Sequence, residues 1–223
     1  MKFSEIYCRV HFHLLVIAPF ALALTFVALI YGCSKQEAPK TEAQAPVSFD
    51  NLRTAYGRES KMADMYVRFV RQAQKERNSG MAALFNALQR SEAIHAGNHM
   101  KLLRTAGKEV QMAAPESVVV GSVPQTLKRA LSDEQIEAES MYPELKRTAE
   151  IEKLSEVALQ FDRTLRADQR HAELLRDALA HEAKVTKAQY FVCPICGYIL
   201  TSAASEGCPI CGTVAKDFEK ISS

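Results

Sequence analysis

From Phe49 to about residue 187 the apolar positions recur every three or four residues, the period of an amphipathic helix. Leu52, Ala55, Met62, Tyr66 and Phe69 share one stripe with Glu59, which predicts a first helix from near Asp50 to Arg77. "NSG" at 78–80 reads as the turn, and a second helix follows to Arg104, with Gly107 as its C-cap. Residues 108 to about 124 carry Pro115, Gly121 and Pro124 and read as a longer connection. A third helix starts near Gln125 and is expected to bend at Pro143. A fourth starts near Ser155, with Val157, Phe161, Asp168, His171, Leu175 and Leu179 facing inward. Long helices with short links within pairs and one long link between the pairs predict a mainly α, single-crossover four-helix bundle.

The stripes are interrupted where leucines belong. The second helix places Glu92, His95 and His99 between Leu88 and Leu102, the third carries Glu134 and Glu137, and the fourth carries Asp168 and His171. Spacings of three residues put each pair on one helix face. A shift of 76 positions superimposes Tyr66 on Tyr142, Ser79 on Ser155, Phe85 on Phe161, Glu92 on Asp168 and His95 on His171. The second half reads as a copy of the first. Any one of these polar residues alone fits a solvated face, but five inward carboxylates do not. Burying a carboxylate costs several kcal/mol unless a countercharge is present, and the stripes themselves supply no lysine or arginine. Two divalent cations would supply it, in the dinuclear carboxylate–histidine arrangement of ferritin-like bundles. His99, one turn beyond His95, is expected beside the site or at the surface rather than as a ligand, and His181 at the surface.

Composition adds a second site. Of six cysteines, four lie in "CPICGYILTSAASEGCPICG": Cys193, Cys196, Cys208 and Cys211 form two C-x-x-C knuckles, each followed by glycine. Four thiolates so placed suit tetrahedral zinc or a single iron, and the ligands alone do not choose between them. Two disulfides are the competing pairing in an oxidising compartment. A small β/knuckle domain is therefore expected at 189–223, after a bundle at 49–188.

A net charge of +2 and the absence of a basic run with interleaved aromatics argue against a nucleic-acid surface. The N-terminus adds an uncharged apolar run at 14–32, preceded by Lys2 and Arg9, which reads as an export signal or a membrane anchor over residues 1–33. It ends in "LIYGC", which resembles a bacterial lipobox with Cys33 as the residue to be lipidated; an uncut signal anchor is the alternative. Residues 34–48, with two prolines and no apolar period, read as a tether. The expected location is outside the cytoplasm, on a bacterial membrane.

"NLRTAYGRES", "RSEAIH", "EQIEAESMYP" and "RADQRH" resemble the four helix motifs of the rubrerythrin family, in order, and "YFVCPICGYI" with "CPICGTVAKDFEKI" resembles its C-terminal rubredoxin-like segment. The resemblance implies two iron ions in the bundle, one iron (or zinc) at the four-cysteine site, hydrogen peroxide as substrate, and a homodimer. It implies Glu59, Glu92, Glu137, Asp168 and His171 as ligands. It also implies that Glu134 exchanges with His95 as one iron changes redox state, and that Tyr66 and Tyr142 flank the metals. Two positions depart from the family. Asp168 stands where it has glutamate, so that bridging would require the fourth helix to move inward, and Ser140 stands where many relatives have an acid. The implied activity is that of a peroxidase with an unnamed electron donor. A non-catalytic iron- or zinc-binding protein is the alternative, while electron transfer through the cysteine site alone leaves the buried carboxylates unexplained.

Overall fold

A computed structural model describes residues 46–111, 119–181, 185, 189–202 and 207–221. The apolar run at 14–32 and Cys33 lie outside them, and no described helix is long and apolar enough to cross a membrane. Helices α1 (Ser48–Lys75), α2 (Ser79–Thr105), α3 (Val123–Ile136), α4 (Tyr142–Ile151) and α5 (Ser155–Ala180) precede three short strands, β1 (Tyr190–Val192), β2 (Ile199–Leu200) and β3 (Glu219–Ile221). α1 packs on α2, and the α3–α4 rod packs on α5. The fold is a ferritin-like four-helix bundle with a small β/knuckle module.

The third bundle helix departs from expectation. The irregularity is not at Pro143 itself, which sits in the first turn of α4 where a missing N–H is tolerated. Instead residues Glu137–Met141 form a π-helical turn that joins α3 to α4. The spacing explains it. Glu59 precedes Tyr66 by seven residues, whereas Glu134 precedes Tyr142 by eight. A π turn absorbs one extra residue, so both tyrosines stand equally far along their helices from their glutamates.

The repeat extends to the turns. Arg77 (φ +58°) and its counterpart Lys153 (φ +60°) both adopt the left-handed conformation that ends a helix. The flanking hydrogen bonds match as well, Asn78 N to Ala73 O at 2.8 Å and Leu154 N to Ala149 O at 2.9 Å. Glu76 and Glu152, also counterparts, each reach the helix start of the other pair. Glu152 accepts from the N–H groups of Val47 and Ser48 at 2.7 and 2.9 Å, and Glu76 from that of Val123 at 3.2 Å. Carboxylates at helix N-termini satisfy orphan donors and oppose the dipole.

Along α1 the buried residues are Leu52, Ala55, Glu59, Met62, Tyr66, Phe69 and Ala73, alternating three and four apart, with Ser48 and Met65 beside them. α2 is buried on more than one face and rich in small residues, because β1 lies against its other side. One apolar cluster gathers Met62, Phe69, Phe85, Leu88 and Leu175 with Tyr190, Val192 and Ile199 of the module; another gathers Leu52, Leu103, Tyr142, Leu145 and Phe161. A layer of buried acids and imidazoles separates them. In the module β1 is the central strand, antiparallel to β2 and β3, with Phe191 opposite both Leu200 and Lys220.

Candidate metal centres

Helix periodicity delivers one residue or pair per helix to the layer. Glu59 comes from α1, Glu92 and His95 from α2, Glu134 from α3, and Asp168 and His171 from α5; each has no exposed surface. They form two groups that share Glu92: Glu59, Glu92 and His95 on one side, and Glu92, Glu134, Asp168 and His171 on the other. Within each group the candidate ligand atoms lie within 4.8 Å of one another. The two imidazoles face each other, ring centroids 5.7 Å apart and planes at 23°. His95 Nδ1 is 3.1 Å from Glu92, and His171 Nδ1 is 3.0 Å from Glu92 and 3.1 Å from Glu134. Asp168 Oδ1 lies between them, 3.4 Å from His95 Nδ1 and 3.6 Å from His171 Nδ1. The shorter side chain therefore reaches the middle of the site.

Three expectations need correcting. Glu134 is beside His171, not beside His95, so the exchange partner expected for His95 is not the residue brought to it. Glu137 joins neither group; its Oε1 accepts from Arg58 Nε at 2.6 Å. And the acids do have a cation, because Arg58, the residue before Glu59, reaches across to Glu137 and to Asp133 at 3.1 Å. Its backbone lies off the apolar stripe, which is why inward periodicity misses it. His99 is another residue the pattern undervalues: it is fully buried, with Nε2 3.0 Å from the hydroxyl of Tyr142. His181 is exposed, as expected.

The tyrosines cross between the pairs. Tyr66 of α1 donates to Glu134 Oε1 of α3 at 2.6 Å, and Tyr142 of α4 donates to Glu59 Oε1 of α1. Each phenol thus holds one oxygen of a carboxylate and leaves the other turned toward the site.

Electrostatics favour cations here. Burial and then the neighbouring carboxylates push the Glu92, Glu137 and Asp168 acids well above their ordinary range. Burial would also lift Glu59, but the close approach of Glu92 and His95 holds it low. His95 moves against its own desolvation up to about 9, drawn by Glu59 and Asp168. Burial likewise raises both phenols, with the nearby carboxylates adding to it. Glu59 Oε2, Glu92 Oε1, both Asp168 oxygens and His171 Nε2 are buried without a hydrogen-bond partner, and such orphans are costly. With Glu137 neutralised by Arg58, four carboxylates remain, the charge that two divalent cations balance. The donor set, all oxygen and imidazole, suits iron.

The four cysteines converge at the other end of His95. They are free thiols with ligand atoms within 4.8 Å of one another. Cys193 and Cys211 sulfurs are 3.5 Å apart and Cys196 and Cys208 sulfurs 3.4 Å, beyond the roughly 2.05 Å of a disulfide. A tetrahedral thiolate site fits; the disulfide pairing does not. Gly197 (φ +77°) and Gly212 (φ +75°) turn the two knuckles. At Gly197 a Cβ would stand 2.4 Å from Ser91 Oγ and 2.6 Å from His95 Nε2, so the module's backbone rests directly on α2. Ser91 Oγ donates to the Gly197 carbonyl at 2.7 Å, and His95 Nε2 is 3.1 Å from the Cys196 carbonyl.

Comparison with known proteins agrees with this arrangement. The rubrerythrin family matches residues 50–179, and the rubrerythrin rubredoxin-like domain matches residues 191–219. The chain is 31% identical to rubrerythrin-2 of Clostridium acetobutylicum, over 76% of this chain and 94% of that one. It is 29% identical to nigerythrin of Nitratidesulfovibrio vulgaris, over 72% and 80%. Mixed-valence nigerythrin superimposes with a TM-score of 0.73 at 26% identity, covering 82% of this chain and 90% of that one. The ferritin of M. penetrans, at 15% identity and a TM-score of 0.55, shares the fold alone.

Proposed function

The chain belongs to the rubrerythrin family, and from that premise we propose that it reduces hydrogen peroxide to water at the bundle, with electrons arriving through the four-cysteine module. The observation that carries this reading is His95, whose Nδ1 faces the carboxylates while its Nε2 touches the Cys196 carbonyl. One imidazole joins the two centres. The family's cofactors are a di-iron site and a metal held by four cysteines, and the donors described above fit both.

Iron held in the bundle would supply the two electrons that, with two protons, convert one peroxide into two waters, and iron held by the four cysteines would return them singly, which zinc has no second oxidation state to do. The chain's own residues arrange the rest. Glu59, Glu92, Glu134, Asp168, His95 and His171 hold the ions. Tyr66 and Tyr142 keep their protons on Glu134 Oε1 and Glu59 Oε1, which orients those carboxylates. Phe85 and Phe161, fully buried on either side, keep bulk water from the layer.

Glu92 belongs to both groups, so Glu92→Ala should strip the bundle of iron and abolish peroxide turnover while the Fe(III)–thiolate absorption persists. Turnover that survives the loss of Glu92 overturns the proposal. Iron bound in the unaltered chain without peroxide turnover would point to storage instead.

The apolar run at 14–32 and Cys33 support export and tethering to a bacterial membrane, and membership of the family supports a homodimer as the working unit. Fractionated cells should yield the chain with membranes, and removal of residues 1–33 should release it. A chain that is soluble from the outset counts against the tether.

A further inference from the structure

The internal repeat gives the bundle two similar ends, and one residue breaks the likeness. Phe85 and Phe161 are counterparts, and each lies beside its own half's tyrosine. The Tyr66 and Phe85 rings are 6.1 Å apart and the Tyr142 and Phe161 rings 6.0 Å. The counterpart of His99 is Leu175, also fully buried. Behind Tyr66 the core is therefore apolar, and among the described residues its hydroxyl bonds only to Glu134. Behind Tyr142 stands an imidazole, stacked at 20° with ring centroids 5.9 Å apart.

The direction of that contact follows from proton counting. The single hydroxyl proton of Tyr142 lies on Glu59 Oε1. The phenol oxygen must then accept from His99, which fixes the proton on Nε2 and leaves Nδ1 as the bare nitrogen. Nδ1 is buried and has no hydrogen-bond partner. Burial holds the ring neutral, its pKa down to about 4, which agrees with one proton rather than two. An unsatisfied buried nitrogen is costly, and a leucine, as in the other half, would avoid that cost.

We propose that His99 is a positioning residue: its Nε2–H donates to the Tyr142 oxygen, which strengthens the Tyr142–Glu59 bond and pins Glu59 by Oε1, leaving Oε2 for a metal. Hydrogen bonds in series polarise one another. The Glu59–His95 end, which touches the four-cysteine module, is thereby held more rigidly than the Glu134–His171 end. The two metal positions are unequal by construction, and the firmer one faces the electron relay.

The test uses the full chain labelled with 3-fluorotyrosine and loaded with zinc, so that resonances stay sharp; Tyr66→Phe and Tyr142→Phe assign the two signals. His99→Leu installs the residue of the other half and should pack in place. The Tyr142 fluorine resonance should then move while that of Tyr66 stays put, and zinc should bind about tenfold more weakly at one of the two bundle positions. His99→Gln, which keeps a neutral N–H donor, should restore both. An unmoved Tyr142 resonance, equal movement of both tyrosines, or no rescue by glutamine would each overturn the proposal and leave His99 as packing. Should His99→Leu not fold, His99→Gln decides alone, since a donor role requires it to keep the wild-type Tyr142 resonance and zinc affinity. The proposal rests on the metal-binding reading of the bundle but not on peroxide turnover. An inactive iron-loaded protein with the expected fluorine shifts would count against the peroxidase and not against His99.

Discussion

Arg58 adjoins Glu59 in the chain but serves a different carboxylate. Its backbone lies just off the apolar stripe of α1, and its side chain, about a third exposed, carries the guanidinium to Glu137, which is fully buried. Breaking a buried ion pair from one side leaves the remaining charge unpaired, at about 3 kcal/mol or more. Arg58→Leu should therefore lower the stability of the metal-free protein by about that amount in a denaturant titration. Adding Glu137→Gln should recover most of the loss; if the double variant is no more stable than Arg58→Leu, the pair is not what matters. At this scale the sequence is legible in part. Glu59, Glu92, His95, Asp168 and His171 announce themselves because each interrupts a stripe of apolar neighbours on its own helix. Arg58 and His99 do not, because their partners, Glu137 and Tyr142, lie on another helix and no local spacing connects them.

The elements are more legible than their joints. Uninterrupted periodicity and the turn read at 78–80 place α1, α2 and α5 within a few residues of where they lie. The third bundle helix reads as bent at Pro143, since proline is the usual cause of a kink. In fact proline opens α4 harmlessly, and the irregularity is the π turn before it. The clue is present as eight residues from Glu134 to Tyr142 against seven from Glu59 to Tyr66, but it is informative only once the halves are compared. Each residue of a helix advances about 100°. Deleting the exposed Ser140 should convert the π turn to α-helix and swing Glu134 by about that angle away from Tyr66 and His171. Helix content by circular dichroism should persist while the bundle loses its iron. Full iron occupancy in the deletion variant would mean that the extra residue is not what positions Glu134.

For the whole molecule, the module's seat on the bundle depends on close approach at one glycine. Gly197 and Gly212 have nearly the same left-handed conformation, and an alanine at either costs roughly 1–2 kcal/mol of backbone strain. Only at Gly197 would the added Cβ strike the bundle. Gly197→Ala should thus loosen the module from the bundle and speed amide hydrogen exchange in Tyr190–Val192, whereas Gly212→Ala should not. Equal behaviour of the two variants would show that strain, not contact, is responsible. The knuckles are readable from C-x-x-C-G alone. Their seat is not, since a glycine in a sequence does not say what approaches it.

That seat has a further property. Ser91, Asn98, Arg166 and Arg170 donate to the carbonyls of Gly197, Ile195, Pro209 and Ile199, and His95 meets that of Cys196. Arg90 with Glu219 adds a side-chain pair. The helices thus grip the main chain of the knuckles as well as the buried side chains of Tyr190, Val192 and Ile199. A foreign knuckle grafted after residue 189 would therefore have to bring apolar residues to positions 190, 192 and 199, besides its main-chain carbonyls, to fill the same socket.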